Sequence, residues 1–453
     1  MAQNLVRPPM AFLPPKPDRV LMSVVDTLMP LWVRYRCGIR RTETINAEGF
    51  VQICQAFLLG KARVIFAFRH PTIDDQYGLI HLFGRVLPQT AHQMGLKLKE
   101  PLRTHFVYDR GIPLWAGEIV TWLYPKMGGI SVYRSKADRQ ALQFIRKTLT
   151  DGSYPLAIAP EGGTNGCSEL IRKLEPGVAQ MGFWCAEDLA KSNRPEEVWI
   201  VPLGFQYTYI DRGWQQIDRL LLQLERDCGI NQPLPQTPSE RFQRLYQLGD
   251  HLINFVSNHY QKFYPLPLPA ELKAEAFQTR LDALLEHILT IAEYHFGTAP
   301  KGDVVDRCRR LEQMVWDQIF RSDIKDINAL SSVELGFANQ LAQEALNSEW
   351  HMRIAESMTA ISGDYLTQHP SPTRFAETLL QVWRVLHRVQ GKPFGRQPYL
   401  GDRDCRLTVG APINVTDRYE FYQSSRTAAK EAVQTLTNDL QKAMTDLIIP
   451  SPM

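Results

Sequence analysis

Between residues 63 and 212 the chain repeatedly runs apolar at almost every position: RVIFAF (63–68), HFVYD (105–109), ISVY (130–133), LAIAP (156–160) and VWIVPLGFQY (198–207). A strand apolar on both faces must be covered on both faces. Helical patterns such as KADRQALQFIRKTL lie between several of these runs. The alternation predicts an α/β fold, a mostly parallel sheet flanked by helices.

The flanking segments read differently. In residues 1–62, Leu21, Val24, Val25, Leu28 and Trp32 recur at helical spacing, followed by Arg34, Arg36, Arg40 and Arg41. The first 62 residues are therefore expected to be helical. The stripe suits a helix lying on an anionic membrane surface as well as one packed on the protein's own core. From 213 to 398 strand signals vanish. One helix is expected to bury Phe277, Leu281, Leu284, Leu285, Ile288 and Ile291, with others at 238–262, 303–320, 329–362 and 371–389. This reads as a large all-helical insertion. CRLTVGAPINV (405–415) then reads as one strand rejoining the sheet, followed by a closing helix. The expected organisation is a helical membrane-surface segment (1–62), an α/β domain (63–212 plus 399–453) and the insertion (213–398).

Composition narrows the function. Hydrophobic residues make up 44% and charged residues 22%, which suits a packed globular chain rather than a disordered one. A net charge of +3 is too mild for a dedicated nucleic-acid binder. The 7 cysteines include no CxxC pair, so neither a disulfide framework nor a zinc site is indicated. No signal-peptide pattern opens the chain, and no uninterrupted apolar run reaches membrane-spanning length. RVLMSVVDTLMPLWVRYR carries Asp26 and Pro30 in its middle, and GIPLWAGEIVTWLYP carries Glu118. Gly-x-Ser-x-Gly, Walker and dinucleotide motifs are absent. SEWH and LLEH lack metal-ligand spacing and read as helix surface, and Cys167 reads as a small apolar residue.

The chemistry concentrates at two strand ends. RVIFAF delivers His70 just past its carboxyl end, and LAIAP delivers Glu161, Gly162 and Gly163 past another. Ligands of open α/β sheets bind at that edge. Pro71 keeps His70 out of helical geometry, so the histidine belongs to a turn and Asp75 to the helix after it. That offset lets the carboxylate reach the imidazole, fix its tautomer and leave the other ring nitrogen to take a proton.

The motifs also occur in a telling order: HPTIDD (70–75), GGISVYR (128–134), APEGG (159–163) and VPLG (201–204). This resembles the glycerolipid acyltransferases of the lysophosphatidate acyltransferase family, with their His-x4-Asp, Gly-x4-Arg, Pro-Glu-Gly and hydrophobic-Pro blocks. The resemblance covers roughly residues 20–212 and 403–453. It implies His70 as general base supported by Asp75, with Thr72, Gly129, Arg134, Glu161, Gly162 and Pro202 in the acceptor-binding blocks. It also implies direct transfer from acyl-CoA or acyl carrier protein to a lysophosphatidate-like glycerolipid, without metal or other cofactor, at the cytoplasmic face of a membrane. Arg69 stands where the family commonly has asparagine. No arginine follows the Glu-Gly pair, which makes Arg172 and Lys173 further candidates for an acceptor phosphate. The same chemistry on glycerol 3-phosphate or another lysophospholipid, a thioesterase, and a non-catalytic lipid- or acyl-carrier-binding scaffold are the alternatives.

Overall fold

In the strand Ala62–Phe68, Ala62, Val64, Phe66 and Phe68 enter one apolar cluster while Ile65 and Ala67 enter another. This is the two-sided burial that the apolar runs imply: successive side chains alternate faces, and both faces are covered. The computed structural model describes residues 5–98, 101–133, 138–210, 214–359, 361, 363–392 and 397–451. Its strands are β1 (Ile39–Ile45), β2 (Ala62–Phe68), β3 (His105–Asp109), β4 (Gly129–Val132), β5 (Leu156–Ile158), β6 (Glu197–Tyr209), β7 (Arg403–Val409) and β8 (Ile413–Asn414).

These form one 8-stranded sheet in the order β1-β7-β6-β2-β5-β3-β4, with β8 alongside β6. The five strands from β6 to β4 are mutually parallel. β7 is antiparallel to β6 and parallel to β1, so the sheet is mixed, mostly parallel, and α/β. One face packs on helices α1 (Arg19–Arg36), α2 (Ala47–Leu58) and α3 (Asp75–His81), the last running on through a π-helical turn at Leu82–Val86. The other face packs on the helices Arg139–Asp151, Gly177–Lys191 and Arg426–Asp446.

Two expectations need correction. The first 62 residues are not wholly helical: IRRTETI is the strand β1, paired along its length with β7. Its Ile39, Thr42, Thr44 and Ile45 are β-branched, and alternation with charged residues fits a strand with a solvated side. Arg40 and Arg41 consequently sit on a strand and not beside the stripe of α1. CRLTVGAPINV is two strands rather than one. The chain turns at Gly410, whose N–H donates to Pro202 O at 2.9 Å, and resumes as β8.

By contact density the chain parts into two compact units, Phe12–Arg212 with Gly401–Pro452, and Met1–Ala11 with Gly213–Leu400 and Met453. The first holds the sheet. The second is built from the helices Trp214–Asp227, Pro238–Phe263, Phe277–His295, Val304–Ile319, Ser332–Met358 and Pro372–Val389. Local sequence starts several of them: Thr237 and Ser371 cap two, and Asp303–Asp306 and Ser331–Glu334 form capping boxes. Buried pairs Arg241–Asp218, Arg244–Glu225 and Arg307–Glu293 tie the helices together. Inside, the Tyr260 hydroxyl and His351 Nδ1 share a hydrogen bond of 2.7 Å. The extended segment at Arg7 pairs with Phe320. Among the described residues no helix is long and apolar enough to cross a membrane.

Candidate active site

Strand register explains why the two polar motifs meet. β2 and β5 are parallel neighbours with Ala67 opposite Ile158. Continuing three residues beyond that pair in the same register places His70 opposite Glu161. There the His70 N–H donates to Glu161 Oε1 at 3.0 Å.

Pro71 bends the chain, and the turn that follows is closed by Thr72. Its hydroxyl accepts from the Asp74 N–H at 2.9 Å, and its own N–H donates to Asp75 Oδ2 at 2.9 Å. Asp75 opens α3. Its carboxylate is fully buried and lies 3.0 Å from His70 Nδ1, whose side chain is 27% exposed. The carboxylate accepts, so Nδ1 carries the ring proton and Nε2 holds the lone pair.

A third donor comes from β6. Val201, Leu203, Phe205 and Tyr207 alternate onto the face that carries α3. The Tyr207 hydroxyl donates to Asp75 Oδ1 at 2.6 Å. The close approach requires a glycine in α3, because a Cβ on Gly78 would lie 2.2 Å from the Phe205 ring. Burial pushes the Asp75 carboxyl above its usual range, and the bonds from His70, Tyr207 and Thr72 pull back against it. Behind it, Arg403 on β7 donates to Asp74 Oδ2 at 2.8 Å and lies over the Tyr207 ring.

The loop after β5 is braced from inside. Gly162 adopts φ +70°, a left-handed turn that favours glycine. Glu161 Oε2 accepts from Asn165 Nδ2 at 3.0 Å and from the Arg172 N–H at 3.3 Å. Its carboxylate is buried and occupied by the chain itself, an arrangement that holds the loop against the His70 turn. Gly166 N–H donates to Pro71 O at 2.9 Å, a second tie between the two. Arg69 faces the opposite way from His70 and is buried. Its guanidinium donates to the carbonyls of Cys167 (3.2 Å), Ser168 and Leu170 (2.6 Å), while its Nε stands 3.7 Å from Glu161 Oε1.

Of the residues singled out in the sequence, His70, Thr72, Asp75, Glu161 and Gly162 converge. Pro202 and Gly129 have contacts that account for them within the sheet. Pro202 lies where β7 has ended and β8 has not begun, so its missing N–H faces no strand partner. Gly129 packs against Phe106, Tyr108 and the backbone of Tyr124, across β5 and β3 from β2. Arg134 lies outside the described residues. Lys173 is exposed, and Arg172 touches Glu161 through its backbone. Among the described residues no group of three or more His, Cys, Asp or Glu could hold a metal ion.

Sequence reasoning noted Arg69 without giving it a role, and missed Asn165, Tyr207, Gly78 and Arg403. An arginine ending an all-apolar run was the one visible signal, since a buried cation at a strand end needs acceptors nearby. What fold and site define together is an α/β protein with a partly exposed histidine oriented by a buried carboxylate at the carboxyl edge of its sheet. Comparison with models of known protein families and with curated proteins finds no match to either.

Proposed function

We propose that this protein is an acyltransferase with a glycerolipid-acyltransferase-like fold, moving a fatty acyl group from an acyl thioester to the hydroxyl of lysophosphatidate or a similar glycerolipid. The observation that carries the reading is the His70–Asp75 contact of 3.0 Å at the carboxyl edge, with Nε2 left as the basic nitrogen. In the proposed reaction His70 Nε2 takes the proton of the acceptor hydroxyl as its oxygen attacks the thioester carbonyl. The tetrahedral intermediate collapses by breaking the C–S bond, and the imidazolium returns the proton to the departing thiolate. Asp75 holds the imidazole and stabilises its charged form throughout. Acyl-CoA or acyl carrier protein serves as donor and co-substrate, with no metal or other cofactor assigned.

A peripheral membrane location supports amphiphilic substrates. α1 docks by Met22 and by the Asp26–Arg103 pair, while Val20, Val24, Leu28, Leu31, Trp32 and Tyr35 stay exposed along it. A groove of about 560 Å³ runs past Val20, Val24 and Leu28, with Arg19 at one end. A helix apolar on its outer side and carrying arginine fits an anionic lipid surface.

The test is an assay of purified protein against a panel of acceptors with acyl-CoA and acyl carrier protein donors. Hydrolysis of the thioester without acceptor is the control. Transfer to a lysophospholipid that vanishes in His70→Ala is the expected result. Hydrolysis alone would make the protein a thioesterase, and no turnover with any pair would end the enzymatic reading.

A further inference from the structure

We propose that Tyr207 is a positioning residue of the His70–Asp75 pair, its phenol regulating how tightly the Asp75 carboxylate holds the imidazole. The inference rests on the acyltransferase reading for its kinetic arm only. Three structural facts carry it. The hydroxyl donates at 2.6 Å to Oδ1, the carboxylate oxygen that His70 does not use. Tyr207 is 2% exposed and Asp75 is wholly buried, so water does not compete for either group. The ring is itself fixed, with Arg403 stacked 5.0 Å from its centroid and Ser168 Oγ accepting from its N–H at 3.2 Å.

Each donor that a carboxylate accepts drains charge from it. Thr72 N–H and His70 act on Oδ2, and among the described residues Tyr207 is the donor to Oδ1. The charged and titratable groups around the pair are Asp74 just ahead of α3, Arg403 and Cys405 on β7, Cys37 beyond α1, and Glu161 behind His70. Arg403 is tied to Asp74 and Cys37 O, which leaves the phenol as the donor aimed at Asp75 itself. Burial, followed by the Asp75 charge, pushes the Tyr207 hydroxyl well above its ordinary range, so it remains a donor at every working pH.

Without the phenol the carboxylate keeps more charge and holds the imidazolium more firmly. The base then stays protonated to higher pH. The test compares Tyr207→Phe with a protein carrying 3-fluorotyrosine at that position, a stronger donor of nearly the same shape. For Tyr207→Phe the acid limb of the kcat/KM profile should move up by roughly half a pH unit to one unit, and kcat should fall roughly tenfold with KM little changed. The fluorinated protein should move the limb the other way. In parallel, 15N NMR of the His70 ring across the same pH range needs no turnover. It should show the same two displacements of opposite sign. Displaced ring signals in a protein that transfers no acyl group would keep the positioning role and remove the acyltransferase reading. Unmoved ring signals in both variants would overturn the inference, whatever the activity.

Discussion

Arg69 lies buried one position ahead of His70, donating to three carbonyls of the loop that carries Glu161. Methionine would fill much of its volume while leaving those carbonyls and the Glu161 carboxylate uncompensated. Arg69→Met should cost about 3 kcal/mol in urea denaturation, by the usual penalty for breaking one side of a buried charged pair. Arg69→Lys should recover only part, because an ammonium cannot serve three acceptors in a fixed fork. A loss under about 1 kcal/mol in Arg69→Met would mean that the loop is held otherwise. At His70 the expectation differs in kind. His70→Ala should abolish acyl transfer in a protein that still folds, because the side chain is partly exposed and Asp75 keeps its bonds from Thr72 and Tyr207. Asp75→Asn should also lower kcat by several orders of magnitude, by the analogy of triads whose carboxylate is neutralised. Near-normal turnover in a folded His70→Ala protein would remove the base assignment.

Among the elements, α1 turns part of its apolar stripe to the core and part to solvent. Its stripe divides: Met22 is 2% exposed against the core, whereas Leu28 is 57% exposed. Val24→Ser and Leu28→Ser should therefore weaken co-sedimentation with anionic vesicles without lowering the melting temperature. Met22→Ser should do the reverse. The arginines divide too, since Arg34 pairs with Asp402, and Arg40 and Arg41 stand on β1. Vesicle binding by the exposed stripe should also fall with added salt. Binding that ignores both the serine changes and salt would take the membrane surface elsewhere. β2, β3, β5 and β6 were legible because two-sided burial makes whole strands apolar, and the helices of 213–398 because their apolar periodicity is long. β1 was not, since an edge strand with charges on alternate positions lacks that signature. β8 was hidden by its length of 2 residues. His70 and Asp75 were legible because they are five residues apart across one turn. Tyr207 was not, because its meeting with Asp75 depends on which face of β6 lies under α3 and on Gly78 letting the helix approach.

For the molecule as a whole, acid should act in part through the helical unit. Burial, and after it the charges of His259 and His295, push His351 down to about 4, while its Nδ1 is hydrogen-bonded with the Tyr260 hydroxyl. His287 is lowered as well, also by burial. A group whose folded-state value is depressed below the unfolded one binds protons preferentially in the unfolded chain. Stability is thus full above about pH 6.5 and declines as pH falls toward 4, by about 3 kcal/mol for His351. His351→Gln keeps an acceptor for Tyr260 and should flatten much of that decline in thermal melts taken from pH 7 to 4. An unchanged slope would assign acid sensitivity to other groups.

The order β1-β7-β6 has a consequence for how the protein is made. β7 fills the place between two strands that precede it by hundreds of residues. While a ribosome translates residues 46 to 402, β1 has no partner, and from residue 210 onward the outer edge of β6 stands open as well. At ordinary elongation rates that interval lasts on the order of tens of seconds. Exposed strand edges invite pairing with other chains. The nascent chain is therefore most vulnerable to aggregation after its His70 turn has been synthesised and before β7 emerges.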